Sequence, residues 1–308
     1  MKVLVYGAGV QGSYLAHVLL RGGMDVTVLA RGARAEELEA EGIVIRHYIQ
    51  RKTTVDPVRV IRTLESDDIY DLIFVVMKYS DFASVLPTLA GNASQHVILV
   101  GNNMDVHAMQ AYLREHSRTP KQVVFGFKTI AGKREHGRVM CIRGGQGQMV
   151  IGALDGPVPF RSLLDEAFRH TKFKLTYHDQ IDAWLKNHMV LVVPMNFVVM
   201  FHNFQMKKVA GDDKRLRQMI AAMDEGFRVL ESVGYPLTPA AQAAWISGRP
   251  ALMRWALKLF YRLPVSGLID GTSAELEALN RAFADWRAQS DVPTPNWDAL
   301  EREFLAQI

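Results

Sequence analysis

Three glycines near the start of the chain have types and spacing that could do chemistry. Gly7, Gly9 and Gly12 form G-x-G-x-x-G within MKVLVYGAGVQGSYLAHVLL, between a short apolar run and a segment of helical spacing. In such a turn the first glycine permits a tight bend and the second lets the backbone approach a pyrophosphate. The third allows close helix–strand packing. Val10 and Gln11 complete the turn, and the helix behind it offers unpaired N–H groups and a positive dipole end to phosphates. A second strand ends at Ala30, 18 residues beyond Gly12, where a carboxylate would take a ribose 2′-hydroxyl. This chain has Ala30-Arg31-Gly32-Ala33-Arg34 instead. A guanidinium pairs with a 2′-phosphate and stacks on adenine, so the residues argue for NADPH, read by Arg31. The alternative is that Arg31 and Arg34 are solvated loop charges, and Arg34 reads equally well as that or as a second ligand.

Lys186 is the other conspicuous residue. It is an isolated charge at the head of IDAWLKNHMVLVVPMNFVVMF (181–201), an otherwise core-like helix. A single cysteine, Cys141, excludes an internal disulfide, and metal-ligand spacings are absent, so no metal is expected.

The elements that must position these residues fall into two halves. VLVY (3–6), DVTVLA (25–30), DLIFVVMK (71–78), HVILVGNN (96–103) and QVVFGFKT (122–129) are short apolar runs separated by helical stretches, the signature of a parallel sheet with crossover helices. GIVIRHYIQRKTTV (42–55) alternates as an edge hairpin would, VMCIRGGQGQMVIGAL (139–154) reads as a hairpin turned by glycines, and KFKLTYH (172–178) as a last strand. Beyond it only helical periodicity appears, over 181–201, 214–234, 239–248 and 273–290, with prolines at the joints. The expected fold is α/β: a Rossmann-type parallel sheet domain over 1–178, followed by an all-helical domain over 179–308.

The chain has 308 residues, 49% hydrophobic and 22% charged, with a formal net charge of +4. Its bases are dispersed, which fits an anionic small molecule rather than nucleic acid. No leader is expected before the first strand, and the apolar stretch 189–201 is too short for a bilayer. A soluble, cytoplasmic protein without membrane association is expected, and the apolar helical half could form a homodimer.

Taken together, these stretches resemble the ketopantoate reductase (2-dehydropantoate 2-reductase) family. The resemblance runs through GAGVQG (7–12), VTVLARG (26–32), DLIFVVMK ending in Lys78, ILVGNNMD around Asn102, FKTIAG (127–132), Trp184-Leu185-Lys186, AELEALN (274–280) and DVPTPNWDAL. It implies NADPH-dependent reduction of a small 2-oxo acid to the 2-hydroxy acid, with ketopantoate the first candidate and pantothenate biosynthesis the setting. Such a reaction needs a donor for the charge growing on the carbonyl oxygen and an acid for its proton. Lys186 matches the family's catalytic lysine and Glu275 its acidic residue near ribose and substrate. Lys78, Asn102 and Ala131 match positions beside the cofactor. Arg46, Lys128, Arg134 and Arg143 match nothing and read as solvated charges.

The family usually carries asparagines four and eight residues after its lysine; here those positions are Val190 and Pro194. Asn196 lies about 80° around the helix from Lys186, and Asn187 and His188 at roughly 100° and 200°. The serine-rich run upstream of the glutamate is reduced to Ser266. Asn187, Asn196 and Ser266 are therefore the substrate-side candidates, while His188 reads as an interior histidine. Two alternatives stand beside the main reading. One is the same chemistry on a different 2-oxo acid or ketone. The other is a non-catalytic NADPH-binding sensor or regulator, which has no need of Lys186.

Overall fold

The computed structural model describes residues 1–128, 130–142, 145–268 and 272–307. The chain divides into two compact units, Met1–Ile181 and Asp182–Ile308.

In the first unit β1 (Lys2–Tyr6) leads into α1 (Val10–Arg21), and β2 (Asp25–Leu29) into α2 (Ala33–Glu41). A hairpin of β3 (Ile43–His47) and β4 (Lys52–Asp56) follows, then the short β5 (Arg59–Ile61). Alternation resumes with β6 (Leu72–Val76), α3 (Phe82–Gly91), β7 (His96–Val100), α4 (Val106–His116) and β8 (Gln122–Lys128). β9 (Ala131–Glu135), β10 (Arg138–Ile142), β11 (Gly147–Gly152), α5 (Arg161–Phe168) and β12 (Phe173–Tyr177) complete the unit.

Eight strands form the main sheet in the order β12-β11-β8-β7-β6-β1-β2-β5. Every neighbouring pair is parallel except β8–β11. The central strands are apolar throughout because the sheet is covered on both faces: Val3, Leu4, Val5, Phe74, Val75, Val97 and Ile98 are fully buried. The chain leaves β1 toward β2 on one side and returns to pair β6 on the other, Val3 with Leu72 through Tyr6 with Val75. That reversal is the switch point at whose carboxyl edge open α/β sheets take their ligands. Gly7 and Lys78 follow the two strands there.

Two expectations need correction. The 42–55 hairpin forms, but not at an edge of the main sheet: it joins a second, four-stranded sheet of order β4-β3-β10-β9. The 139–154 segment is not a hairpin. β10 pairs β3 and β9 in the second sheet, whereas β11 pairs β8 and β12 in the main one. Its glycines work as a joint between sheets; Gly145 has φ +79°, and a Cβ on Gly147 would lie 2.8 Å from the Phe173 ring. Arg143 and Gly144 lie outside the described residues.

The second unit consists of helices: α6 (Ile181–Phe201), which starts on the last residue of the first unit, α7 (Met206–Gly211), α8 (Asp213–Ser232), α9 (Ala240–Gly248), α10 (Pro250–Arg262), α11 (Ser273–Arg287) and α12 (Pro295–Leu305). Pro250 and Pro295 sit in the first turns of α10 and α12, where a missing N–H costs nothing. Trp297 is the centre of the core, with the Phe283 ring 3.9 Å and the Phe197 ring 6.4 Å away. Gly226 of α8 lets two neighbours close in: a Cβ there would stand 2.5 Å from Val190 and 3.2 Å from Trp297. By length and composition α6 could cross a membrane, and it extends well beyond the 189–201 stretch. However, 61% of its most apolar window is buried within the protein.

Glu225 is a buried carboxylate at the start of α12. It accepts from the Asn296 N–H (3.1 Å), the Trp297 N–H (2.8 Å) and Asn296 Nδ2 (2.6 Å). It thereby satisfies N–H groups that a helix start leaves unpaired, at the end of the dipole that favours an anion. Removing it leaves those donors buried and unpaired. Glu225→Ala is expected to lower unfolding stability by about 3 kcal/mol, read from the denaturant midpoint.

Candidate active site

The glycine turn is built as its sequence implies. Gly7 has φ +115°, and a Cβ on it would lie 2.3 Å from the Val76 carbonyl oxygen of β6. A Cβ on Gly12 would lie 1.9 Å from the Gly7 carbonyl oxygen, so α1 can start this close to β1 only without a side chain there. Gly9, the N-cap of α1, differs: a Cβ on it would meet nothing within 4 Å. Open space over Gly9, beside helix N–H groups with no intrahelical partner, fits a dinucleotide pyrophosphate.

Around this turn, polar side chains take the backbone carbonyls. Ser13 Oγ donates to Ala8 O at 3.0 Å, and Gln11 Nε2 donates to Ile130 O. Arg34, on α2, is neither a phosphate reader nor solvated. It is buried, and it donates to Ala8 O (3.1 Å), Ser13 Oγ (3.0 Å), Gly137 O (2.9 Å) and Glu37 (2.9 Å). Arg31, by contrast, is exposed just beyond β2. It stands close enough to Tyr6 to offset part of the upward pKa shift that burial gives that phenol.

Lys128 was expected to be solvated and is not. It is 3% exposed, its Nζ donates to Gln11 O at 2.6 Å, and it lies 4.6 Å above the Tyr14 ring. Burial pushes its pKa well below the usual lysine value. Nothing in QVVFGFKT signals this, because the fold brings α1 over the end of β8. Arg46 and Arg134 are exposed, as expected. Lys78 is exposed after β6, Asn102 is half-buried after β7, and Ala131 opens β9. Gly132 next to it fits against α1, where a Cβ would be 3.0 Å from Val10.

In the second unit Lys186 is buried, at 2% side-chain exposure. Its Nζ pairs with Asp182 one turn earlier on α6 and stands over the rings of Tyr235 (4.6 Å) and Trp286 (5.3 Å). Neither Asp182 nor the two rings were singled out in the sequence; only the i, i+4 spacing of Asp182 offered a signal. Glu275 is half-buried in the first turn of α11, where its N–H donates to the Thr272 N-cap at 3.4 Å. Thr272-Ser273-Ala274-Glu275 is thus the T-x-x-E pattern of a helix start.

Each substrate-side candidate has a local bond. Asn187 is buried and donates to Ala183 O (2.8 Å) and Pro236 O (3.0 Å), which leaves its Oδ1 unpaired among the described residues. Asn196 donates to Val192 O at 2.8 Å, and Ser266, also buried, to Leu263 O at 2.8 Å. The His188 ring stacks on Trp184 at 5.3 Å, and loss of water around it lowers its pKa to about 4. It is a neutral imidazole at neutral pH. Among the described residues no three His, Cys, Asp or Glu side chains gather as a metal site would require.

Residues 3–156 match the family described as Ketopantoate reductase PanE/ApbA. The chain belongs to the ketopantoate reductase family. Its members are oxidoreductases acting on a CH–OH/C=O pair, and a nicotinamide cofactor goes with the family and the fold. A 2-dehydropantoate 2-reductase of Archaeoglobus fulgidus is 23% identical over 92% of this chain and 89% of its own length. Another, from Mesorhizobium japonicum, is 30% identical over a shorter stretch, 32% of this chain and 30% of that protein. The fold is shared with the PanE/ApbA family ketopantoate reductase from Ralstonia eutropha JMP134, at TM-score 0.74 and 18% identity over 99% of this chain and 98% of that one. It is shared equally with D-mandelate dehydrogenase in its ternary structure with NADH and anilino(oxo)acetate, at TM-score 0.78 and 16% identity over 99% and 98%.

The two glycine contacts separate folding from binding. Gly12→Ala should destabilise the first unit by about 2 kcal/mol or more, because the Gly7 carbonyl cannot clear the added carbon. Gly9→Ala should leave the melting temperature nearly unchanged and weaken dinucleotide binding at least tenfold by fluorescence titration, a loss of about 1.4 kcal/mol.

Proposed function

We propose that this ketopantoate-reductase-family protein reduces a small 2-oxo acid with NADPH, ketopantoate being the first substrate to try. The observation that carries the reading is Lys186, an ammonium taken into a helical core that packing alone would fill with an apolar side chain. Gly7, Gly9, Val10, Gln11 and Gly12 would hold the pyrophosphate, and Lys78, Asn102 and Ala131 the nicotinamide side. Arg31 supports NADPH over NADH, since a guanidinium stands where a carboxylate would take the 2′-hydroxyl. When bound, the reduced nicotinamide supplies the hydride.

The protein's own part is electrostatic and acid–base. Lys186 Nζ–H is the donor for a carbonyl oxygen that gains charge, and it then gives that oxygen a proton. Glu275, by the family resemblance, stands near ribose and substrate. Asn187, with its spare Oδ1, is the best placed of the polar candidates to read substrate; Asn196 and Ser266 already serve neighbouring carbonyls.

Val190 and Pro194 favour a second reading, the same chemistry on a more apolar 2-oxo acid. Val190 is fully buried against Gly226, where the resemblance would have an asparagine. A sensor that binds NADPH without turnover is the remaining alternative. A cytoplasmic enzyme of pantothenate biosynthesis, working alone or as a homodimer, completes the proposal.

Two measurements test it. Lys186→Ala should lower kcat for 2-oxo acid reduction by about 10²–10⁴-fold while NADPH still binds; undiminished turnover would remove Lys186 from the mechanism. Arg31→Asp should raise the Kd for NADPH about 10- to 100-fold, the worth of a charge-assisted contact, and that for NADH much less. Equal losses would show that Arg31 does not read the 2′-phosphate.

A further inference from the structure

Burial around Lys186 works against its charge, because an ammonium stripped of water prefers to become an amine. Two features of the second unit oppose this. The faces of Tyr235 and Trp286, at 4.6 and 5.3 Å, offer negative potential to a cation. The carboxylate of Asp182, in contact with Nζ from one turn earlier, offers a full opposite charge. The carboxylate dominates: an adjacent opposite charge moves a pKa by about 1–3 units. The pair also differs from an ordinary i, i+4 pair on a helix surface, since the Asp182 side chain is only 14% exposed and that of Lys186 2%. Burial, and after it the Asp182 charge, raise the Tyr235 pKa, so this phenol stays protonated beside the pair.

We propose that Asp182 is a positioning residue for the reduction: it keeps Lys186 an ammonium and holds its Nζ in place over the two rings. The inference rests on the reading of Lys186 as the acid. In that reaction the carbonyl carbon takes the hydride, its π pair moves to oxygen, an O–H bond forms there and an N–H bond of Lys186 breaks. The amine left behind regains its proton from water, and Asp182 favours that return. Among the described residues, Asp182 from α6 and Tyr235 from the segment between α8 and α9 are titratable groups that face Lys186, and α11 presents Trp286.

The test is the pH profile of kcat/KM with ketopantoate and NADPH for the wild-type protein, Asp182→Asn and Asp182→Glu. Turnover needs the ammonium, so it falls as pH rises through the Lys186 pKa. Loss of the neighbouring charge lowers that pKa, and the alkaline limb of Asp182→Asn should move down by about one unit or more. Below the limb, where Lys186 is charged in both proteins, rates should fall less than above it, because the amide oxygen of Asp182→Asn still accepts from Nζ, and Asp182→Glu should restore the limb. Side-chain nitrogen NMR of ¹⁵N-lysine-labelled protein, with Lys186→Ala to assign the signal, reads the same pKa without any substrate. A limb and a nitrogen titration that both coincide with wild type in Asp182→Asn would overturn the inference. Where Asp182→Asn does not fold, Asp182→Ser is measured in its place. The two readings fail separately. Loss of turnover in Lys186→Ala with an unmoved Asp182→Asn profile removes only the role of Asp182. Full turnover in Lys186→Ala removes the acid, and with it this inference.

Discussion

The first unit depends on a contact that only glycine allows. The Gly7 carbonyl oxygen sits 1.9 Å from where a side chain on Gly12 would begin, so α1 is pressed against the end of β1. The other ties follow from that closeness. Arg34 and Ser13 take the Ala8 carbonyl, Lys128 takes that of Gln11, and the Gln11 side chain reaches Ile130. These donors all point at carbonyls of the turn or its neighbours. The Gly7 N–H goes to Leu29 O, and the N–H groups at the start of α1, which a helix cannot satisfy internally, suit an anion.

Buried charge recurs through the molecule, and burial alone does not mark chemistry. Lys128 and Lys186 are almost equally hidden. Lys128 donates to a backbone carbonyl, a neutral partner that ties two elements and supplies no charge to compensate the cation. Lys186 is matched by a carboxylate and two ring faces. Glu225 shows the third case, a carboxylate consumed by the N–H groups at the start of α12. The partner, rather than the depth, separates a strut, a helix cap and the proposed proton donor.

The departures from the family pattern also have a packing account. Val190 fits the hollow that Gly226 leaves beside Trp297, so an apolar side chain at that position belongs to the core of the second unit. Ser266 and Asn196 bond carbonyls three and four residues earlier and so serve the local backbone. A site with fewer free hydrogen-bonding side chains discriminates polar substrates less sharply.

Much of this was legible in the residues themselves. Short continuous apolar runs bounded by turn residues read as strands covered on both faces, helical periodicity marks amphipathic helices, and G-x-G-x-x-G after a strand leaves little alternative to a dinucleotide turn. Such signals are local, set by neighbours a few residues apart. Pairings between distant segments are not: the 139–154 run looked like a hairpin because sequence shows the glycines but not that β8 and β3 compete for its two strands. Lys128 reads as a surface charge, and Arg34 as either a ligand or a surface charge, for the same reason, since their partners lie 117 and 26 residues away. The sequence by itself determined the central strands, the longest helices, the turn and the lone lysine of α6. Only the tertiary structure decided which cations are struts, which one stays exposed beyond β2, and that Lys186 lies between a carboxylate and two aromatic rings, because those outcomes depend on what folding brings together.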